Sequence, residues 1–195
     1  AVDLIFIGNY VGKSASAAVG SGSLLLTCLV GFITGISVGA GVVVAQYYGA
    51  KDYKNLQDSV HTAMSLAGIG GIVLTIAGLL LSPFILQWLR VPQEIFELSV
   101  SYIRIYFISI LPMVLYNMGS AILRAYGDAK RPLIYLASGA ILNVFLDWLF
   151  VAVFSWGVAG ASWATTISQT LSAVLIVVHL FSTKREYRIH LKRLR

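Results

Sequence analysis

Asp147 lies inside a long apolar run, and Asn143 precedes it by four residues. If the run is helical, that spacing stacks the two side chains on one face. A carboxylate beside an amide can hold a proton or a small cation such as Na⁺. The plainer alternative is a structural hydrogen bond to a neighbouring helix. A carboxylate deep in an apolar helix is costly, and such residues usually face a bundle interior or a wet cavity. That cost favours the functional reading. Asp3, in the apolar stretch VDLIFIG, is a second carboxylate and reads equally well either way. Asn117, five residues beyond Pro112, and Thr165 are polar residues in other apolar runs. Each is a site residue or simply a side chain bonded to a backbone carbonyl. Arg104 falls close enough to the end of its run to reach the surface by snorkelling. His61 and His179 fall at run ends without a second ligand at metal spacing, so both read as interfacial. The single cysteine, Cys28, supports neither a disulfide framework nor a thiolate metal site.

These residues need elements to hold them, and the composition says which. Only 11% of the chain is charged and 58% is hydrophobic, with a mean hydropathy of +0.83. A soluble domain carries about 25% charged residues, so this chain has too little polar surface to cover a water-exposed shell. Residues 14–50 and 59–89 contain no charge, 98–123 contain only Arg104, and 132–183 contain only Asp147. About 20 apolar residues cross a bilayer as a helix. The sequence therefore predicts an all-α membrane protein with spans near 24–48, 60–88, 98–124, 132–154 and 159–182. The turn-forming Ser155-Trp156-Gly157 and Gly160 divide the last two. A sixth span is expected over 1–19, too short to be whole, so that the chain begins inside it. No signal-peptide pattern is visible.

The loops orient the bundle. Lys51 and Lys54 share one connection, Arg124, Lys130 and Arg131 another, and residues 184–195 add six more cations. With alternating spans all of these fall on one side, while the opposite loops hold only Lys13 and Arg90. The positive-inside rule makes the basic side cytoplasmic, the C-terminal tail included. The net charge of +6 thus reads as a topology signal rather than a nucleic-acid surface. In the tail, Tyr187, Leu191 and Leu194 share a face amid basic residues, which suits an interfacial helix or a basic linker. Gly31, Gly35 and Gly39 line one helix face and are expected to pack against another helix. Pro112 is expected to kink its helix.

Four segments, in order, resemble multidrug and toxic compound extrusion (MATE) transporters. VDLIFIGNYVGKSASAAVG is similar to the family's first-helix aspartate, then glycine, then alanine-rich stretch. GISVGAGVVVAQYYGAKD resembles its glycine-rich second helix and turn. SYIRIYFISILPMVLYNMGSAILRAYGDAKRPL carries the mid-helix proline and the RAYGDAKRP turn. ILNVFLDWLF followed by GVAGASWATTISQ resembles the end of the N-terminal lobe.

The resemblance implies a twelve-helix protein of two six-helix lobes that exchanges H⁺ or Na⁺ for cationic or amphipathic drugs. It implies no cofactor beyond the coupling ion, no enzymatic chemistry, and residence in a plasma membrane, the bacterial inner membrane. It places a cation or proton site on Asp147, Asn143, Asn117, Thr165 and Asp3. The chain would then be a fragment, residues 1–183 forming the N-terminal lobe with its first helix truncated and 184–195 a cytoplasmic linker. The C-terminal lobe and drug-like molecules would be its partners. A lipid or polysaccharide flippase of the same superfamily is the first alternative, but it would be expected to carry more cations inside. An intramembrane aspartyl protease needs two carboxylates close enough to share a proton. It would also need Gly-x-Gly-Asp, where this chain has Ala125-Tyr126-Gly127-Asp128 in a turn. A purely structural membrane subunit would leave Asp147 without a purpose.

Overall fold

Charged and turn-forming residues end the helices, and the apolar runs between them stay α-helical almost throughout. The computed structural model describes residues 13–183, 188 and 189, with side chains from residue 26 onward. Helix α1 is Lys13–Gly49, α2 is Tyr53–Trp88, α3 is Gln93–Ile108, α4 is Ile110–Ala125 and α5 is Lys130–Asp147. A π-helical segment, Trp148–Val153, continues α5, and α6 is Gly157–Ser182. Among the described residues there is no strand. Five stretches there are long and apolar enough to cross a membrane: Leu26–Gly49, Tyr53–Trp88, Gln93–Ala125, Lys130–Val153 and Gly157–Ser182. They correspond in order to the last five expected spans.

The boundaries differ in instructive ways. Most of the expected first span lies outside the described residues, but 13–19 are already part of α1. The expected break between 19 and 24 is therefore corrected. Gly20-Ser21-Gly22-Ser23 contains no proline, and a glycine inside a helix costs only about 1 kcal/mol. Helix α2 starts seven residues before expected, at Tyr53 rather than 60, because Asp52 caps it. The Asp52 Oδ1 accepts from the Asn55 backbone N–H at 3.2 Å.

Two prolines act differently. Pro112 cannot donate to the Ile108 carbonyl, and the helical run breaks at Ser109, between α3 and α4. The Ser109 N–H turns back only three residues, to the Tyr106 carbonyl at 2.9 Å. Pro83 leaves α2 intact. The Ser82 hydroxyl donates to the Leu79 carbonyl at 3.3 Å, the acceptor that Pro83 leaves without its helical donor.

Connections of three or four residues (50–52, 89–92, 126–129 and 154–156) make successive spans antiparallel neighbours. Each carries one residue with positive φ, namely Lys51, Arg90, Gly127 and Ser155. Lys51, Arg124, Lys130 and Arg131 thus share one end of the bundle, where the Tyr48 and Tyr126 rings lie 4.4 Å apart. All four tryptophans, Trp88, Trp148, Trp156 and Trp163, lie toward the opposite end, each partly or largely exposed. At the basic end, Arg188 Nε donates to the Phe181 carbonyl and the Ile189 N–H to the Leu180 carbonyl, both at 3.1 Å. These bonds satisfy carbonyls that the end of α6 would otherwise leave open. The remaining tail positions, Tyr187, Leu191 and Leu194 among them, lie outside the described residues. His61 is buried within the bundle, its Nδ1 2.6 Å from the Gln57 carbonyl.

Helix α4 is the axis of the lobe, packed against α1, α2 and α6. Ile110, Met118, Ile122 and Leu123 on it are fully enclosed. Glycines allow the crossings: a Cβ on Gly41 would lie 3.2 Å from that of Ala121, and one on Gly119 would lie 3.1 Å from Ile176. Without a hydrophobic drive between helices in lipid, such close approaches supply the packing. Gly31, Gly35 and Gly39 do not share in it. A Cβ on any of them would meet nothing within 4 Å, so the packing expected of that stripe is absent among the described residues.

Candidate functional site

The site is built on the facing surfaces of α5 and α6. Gly127, at φ +79°, turns the chain out of α4. Asp128, just ahead of α5, accepts from the Arg131 N–H through Oδ1 at 3.2 Å and from Arg131 Nη1 through Oδ2 at 2.9 Å. The Tyr116 hydroxyl donates to the Pro132 carbonyl at 3.0 Å, fastening α4 to the start of α5. From this anchored end, steps of four residues carry Tyr135, Gly139, Asn143 and Asp147 along the helix.

Helix α6 runs antiparallel to this row and meets it in register. The Ser172 hydroxyl donates to the Tyr135 carbonyl at 3.0 Å. Gly139 lies against Ser168 and Ser172, its position for a Cβ only 2.9 Å from the Ser168 carbonyl oxygen. One turn further, Asn143 Nδ2 reaches the Thr165 hydroxyl at 3.4 Å. A cavity of about 210 Å³ opens along this seam, lined by Gly139, Asn143, Thr165, Ser168, Gln169 and Ser172 among others. That volume exceeds what several water molecules or a partly hydrated ion occupy. One turn beyond Asn143, Asp147 is completely buried, at 0% exposure. A carboxylate so enclosed must be neutralised by a proton, a cation or hydrogen-bond donors.

The structure thus brings Asn143 and Thr165 together, with Asp147 on the next turn of the same row. Asn117 stays within α4, where its Nδ2 donates to the Met113 carbonyl at 2.9 Å. That is the backbone-bonding alternative open to it from the sequence. Asp3 lies outside the described residues. Arg104 is exposed on α3. Sequence reasoning missed Gln169, Ser168 and Ser172. The signal was available, since Gln169 follows Thr165 by four and Ser172 follows Ser168 by four, which puts each pair on one helix face.

Comparison with known proteins follows the same outline. The MatE family model matches residues 1–149. The probable multidrug resistance protein YpnP of Bacillus subtilis (strain 168) is 33% identical over 171 residues, which cover 88% of this chain and 38% of that protein. The multidrug export protein MepA of Staphylococcus aureus (strain MRSA252) is 24% identical over 192 residues, covering 98% of this chain and 42% of MepA. A crystal structure of MATE in the bent conformation superposes with a TM-score of 0.92 at 28% identity, over 98% of this chain and 43% of that one. The inward-facing conformation of a multidrug resistance MATE family transporter gives the same score and identity over 100% of this chain and 44% of that one. The chain therefore spans about two fifths of the length of these relatives.

Proposed function

Because this chain belongs to the MatE family, whose members are membrane transporters rather than enzymes, we propose that it forms one helical lobe of a multidrug antiporter. The lobe binds the coupling ion, H⁺ or Na⁺, and the complete transporter exports cationic or amphipathic drugs in exchange. The observation that carries this reading is the row on α5: buried Asp147, then Asn143 in contact with Thr165, both lining a cavity that Ser168, Gln169 and Ser172 also line. Asp147 supplies the charge, while the Asn143 amide oxygen and the Thr165 hydroxyl supply neutral oxygens suited to a hard cation. Asn117 and Asp3 join this set if the ion or the helices move toward them.

Exchange follows from differential binding. An ion changes the balance between two helix arrangements only as far as it binds one of them better. A buried carboxylate that holds the ion in one arrangement and releases it in the other would provide that difference. A second lobe, facing this one, would wall the drug pathway off from lipid, and access would alternate as one bundle rocks against the other. The relatives' names supply the substrate class, and their greater length supplies the room for a second lobe. The test is drug efflux from proteoliposomes under an imposed H⁺ or Na⁺ gradient. Residues 1–195 alone are expected to insert and show no gradient-dependent efflux. Co-expression with a matching second lobe is expected to restore it. Gradient-driven efflux from the 195-residue chain by itself would refute the two-lobe reading.

The basic end is proposed to face the cytoplasm of a bacterial plasma membrane. Cys28 is exposed and must be replaced first. Single cysteines at Lys54 and Lys130 should then resist an impermeant maleimide added to intact cells and react after permeabilisation. Strong labelling from outside at either position would reverse the orientation.

A further inference from the structure

The break between α3 and α4 leaves one carbonyl to be served from another helix. Where an uninterrupted helix would return the Ser109 N–H to Ile105, that N–H instead bonds the Tyr106 carbonyl at 2.9 Å. The Ser109 hydroxyl donates to the same Tyr106 carbonyl at 2.6 Å. The Ile105 carbonyl thereby loses its helical donor. Its replacement comes from α6, where the Thr166 hydroxyl lies 3.3 Å away. The same hydroxyl lies 2.9 Å from the Ser162 carbonyl within its own helix. A threonine carries one hydroxyl hydrogen, so it serves one of these two acceptors at a time.

Thr166 is also buried, at 5% exposure, so water does not relieve the choice. Its neighbour Thr165 faces α5 and meets Asn143 at 3.4 Å. Adjacent residues point about 100° apart around a helix. This pair therefore touches the polar seam on one side of α6 and the helix break on the other.

We propose that Thr166 is a positioning residue, whose hydroxyl holds the α3–α4 break open and, through Thr165, ties that bend to the seam beside Asp147. When the hydroxyl serves Ile105, the bent form has a donor for the carbonyl that the break deprives of one. When it returns fully to Ser162, the Ile105 carbonyl regains a donor only if the Ser109 N–H swings back and the run straightens. An ion that draws Asn143 and Thr165 together moves α6 and so biases the choice. This second half rests on the cation reading above; the first half does not.

The test uses the intact protein at its natural length, with Cys28 replaced and spin labels at Leu98 on α3 and Val153 at the same end of the bundle. Both positions are exposed. Leu98 is eleven residues from the break, about 16 Å along a helix, so a change in bend of about 20° moves it by on the order of 5 Å. Thr166→Val should shift the label distance by that amount, and Thr166→Ser should keep the wild-type distribution. If the valine variant does not fold, Thr166→Ala is read with the same pair. A wild-type distribution in the hydroxyl-free variant would overturn the latch. In the unsubstituted protein, a pH step or added Na⁺ should shift the same distance, and Asp147→Asn should remove the shift. A Thr166→Val shift with no ion response in the unsubstituted protein would overturn the coupling and leave the latch. If Asp147→Asn instead keeps full gradient-driven efflux, the cation reading is the part that fails, and the Thr166→Val distance still decides the latch.

Discussion

Replacing Asp147 by asparagine should abolish ion-coupled drug efflux while membrane expression stays close to wild type. The side chain keeps its size, and a buried charge gives way to a neutral amide, a change that often costs a fold little. The functional cost is large. At one-for-one exchange, an ion moving down a tenfold gradient releases about 1.4 kcal/mol, enough to sustain a drug gradient of about tenfold. An uncoupled carrier sustains none. Drug accumulation in proteoliposomes under an imposed H⁺ or Na⁺ gradient measures this directly, with wild type and variant reconstituted at equal density. Asn143→Ala and Thr165→Val each remove one neutral group from the seam. Each should raise the ion concentration for half-maximal efflux by about tenfold, the worth of one hydrogen bond. Asn117→Ala should do least, since its amide is bonded to Met113 within its own helix. A wild-type gradient from Asp147→Asn would remove Asp147 from the mechanism.

The second large effect is expected at Gly139. A methyl group there would fall on the Ser172 hydroxyl and lie 2.9 Å from the Ser168 carbonyl oxygen. The hydroxyl can rotate away, at the loss of its bond to Tyr135. The carbonyl belongs to the α6 backbone and cannot. Gly139→Ala must therefore push α5 and α6 apart, lengthening an Asn143–Thr165 contact already at 3.4 Å. Overpacking of this kind costs about 1–3 kcal/mol, or roughly 2–4 °C of melting temperature per kcal/mol in a chain this long. Thermal unfolding in detergent should show that loss, and ion-coupled efflux should fall with it. Gly35→Ala is the control, because a Cβ there meets nothing within 4 Å. Equal melting temperatures for Gly139→Ala and the unsubstituted protein would mean that the α5–α6 seam is looser than its geometry indicates.

The spans were legible because charges are expensive in lipid, and their absence marks long runs without ambiguity. Helix starts were less so. Residues 53–59 are mostly polar yet helical, since Asp52 caps the first turn and Leu56 is buried against the bundle. Pro112 announced a kink, but the break falls three residues earlier, at Ser109, where the missing donor is felt. The Asn143–Asp147 row could be read from spacing within one helix. Its partner Thr165 was not placed against Asn143 by spacing, because that contact depends on the register between two helices, set by a three-residue connection. The glycines show the same limit from the other side. A repeat of four residues identifies a face, yet Gly41, outside the repeat, makes the close approach while Gly31, Gly35 and Gly39 make none. Periodicity tells which residues share a face, and only the packing tells what lies opposite.

The lopsided placement of tryptophan has a spectroscopic consequence. Trp88, Trp148, Trp156 and Trp163 all lie toward the end of the bundle opposite the basic connections, and that end contains the π-helical segment just after Asp147. Indole emission is therefore a one-sided reporter among the described residues, with no background from the other end. Quenchers held at known depths in one leaflet would reach all four rings from that side and few from the other. The turns of α5 and α6 at that end can thus be watched by intrinsic fluorescence, without any label, while the ion or the drug is changed.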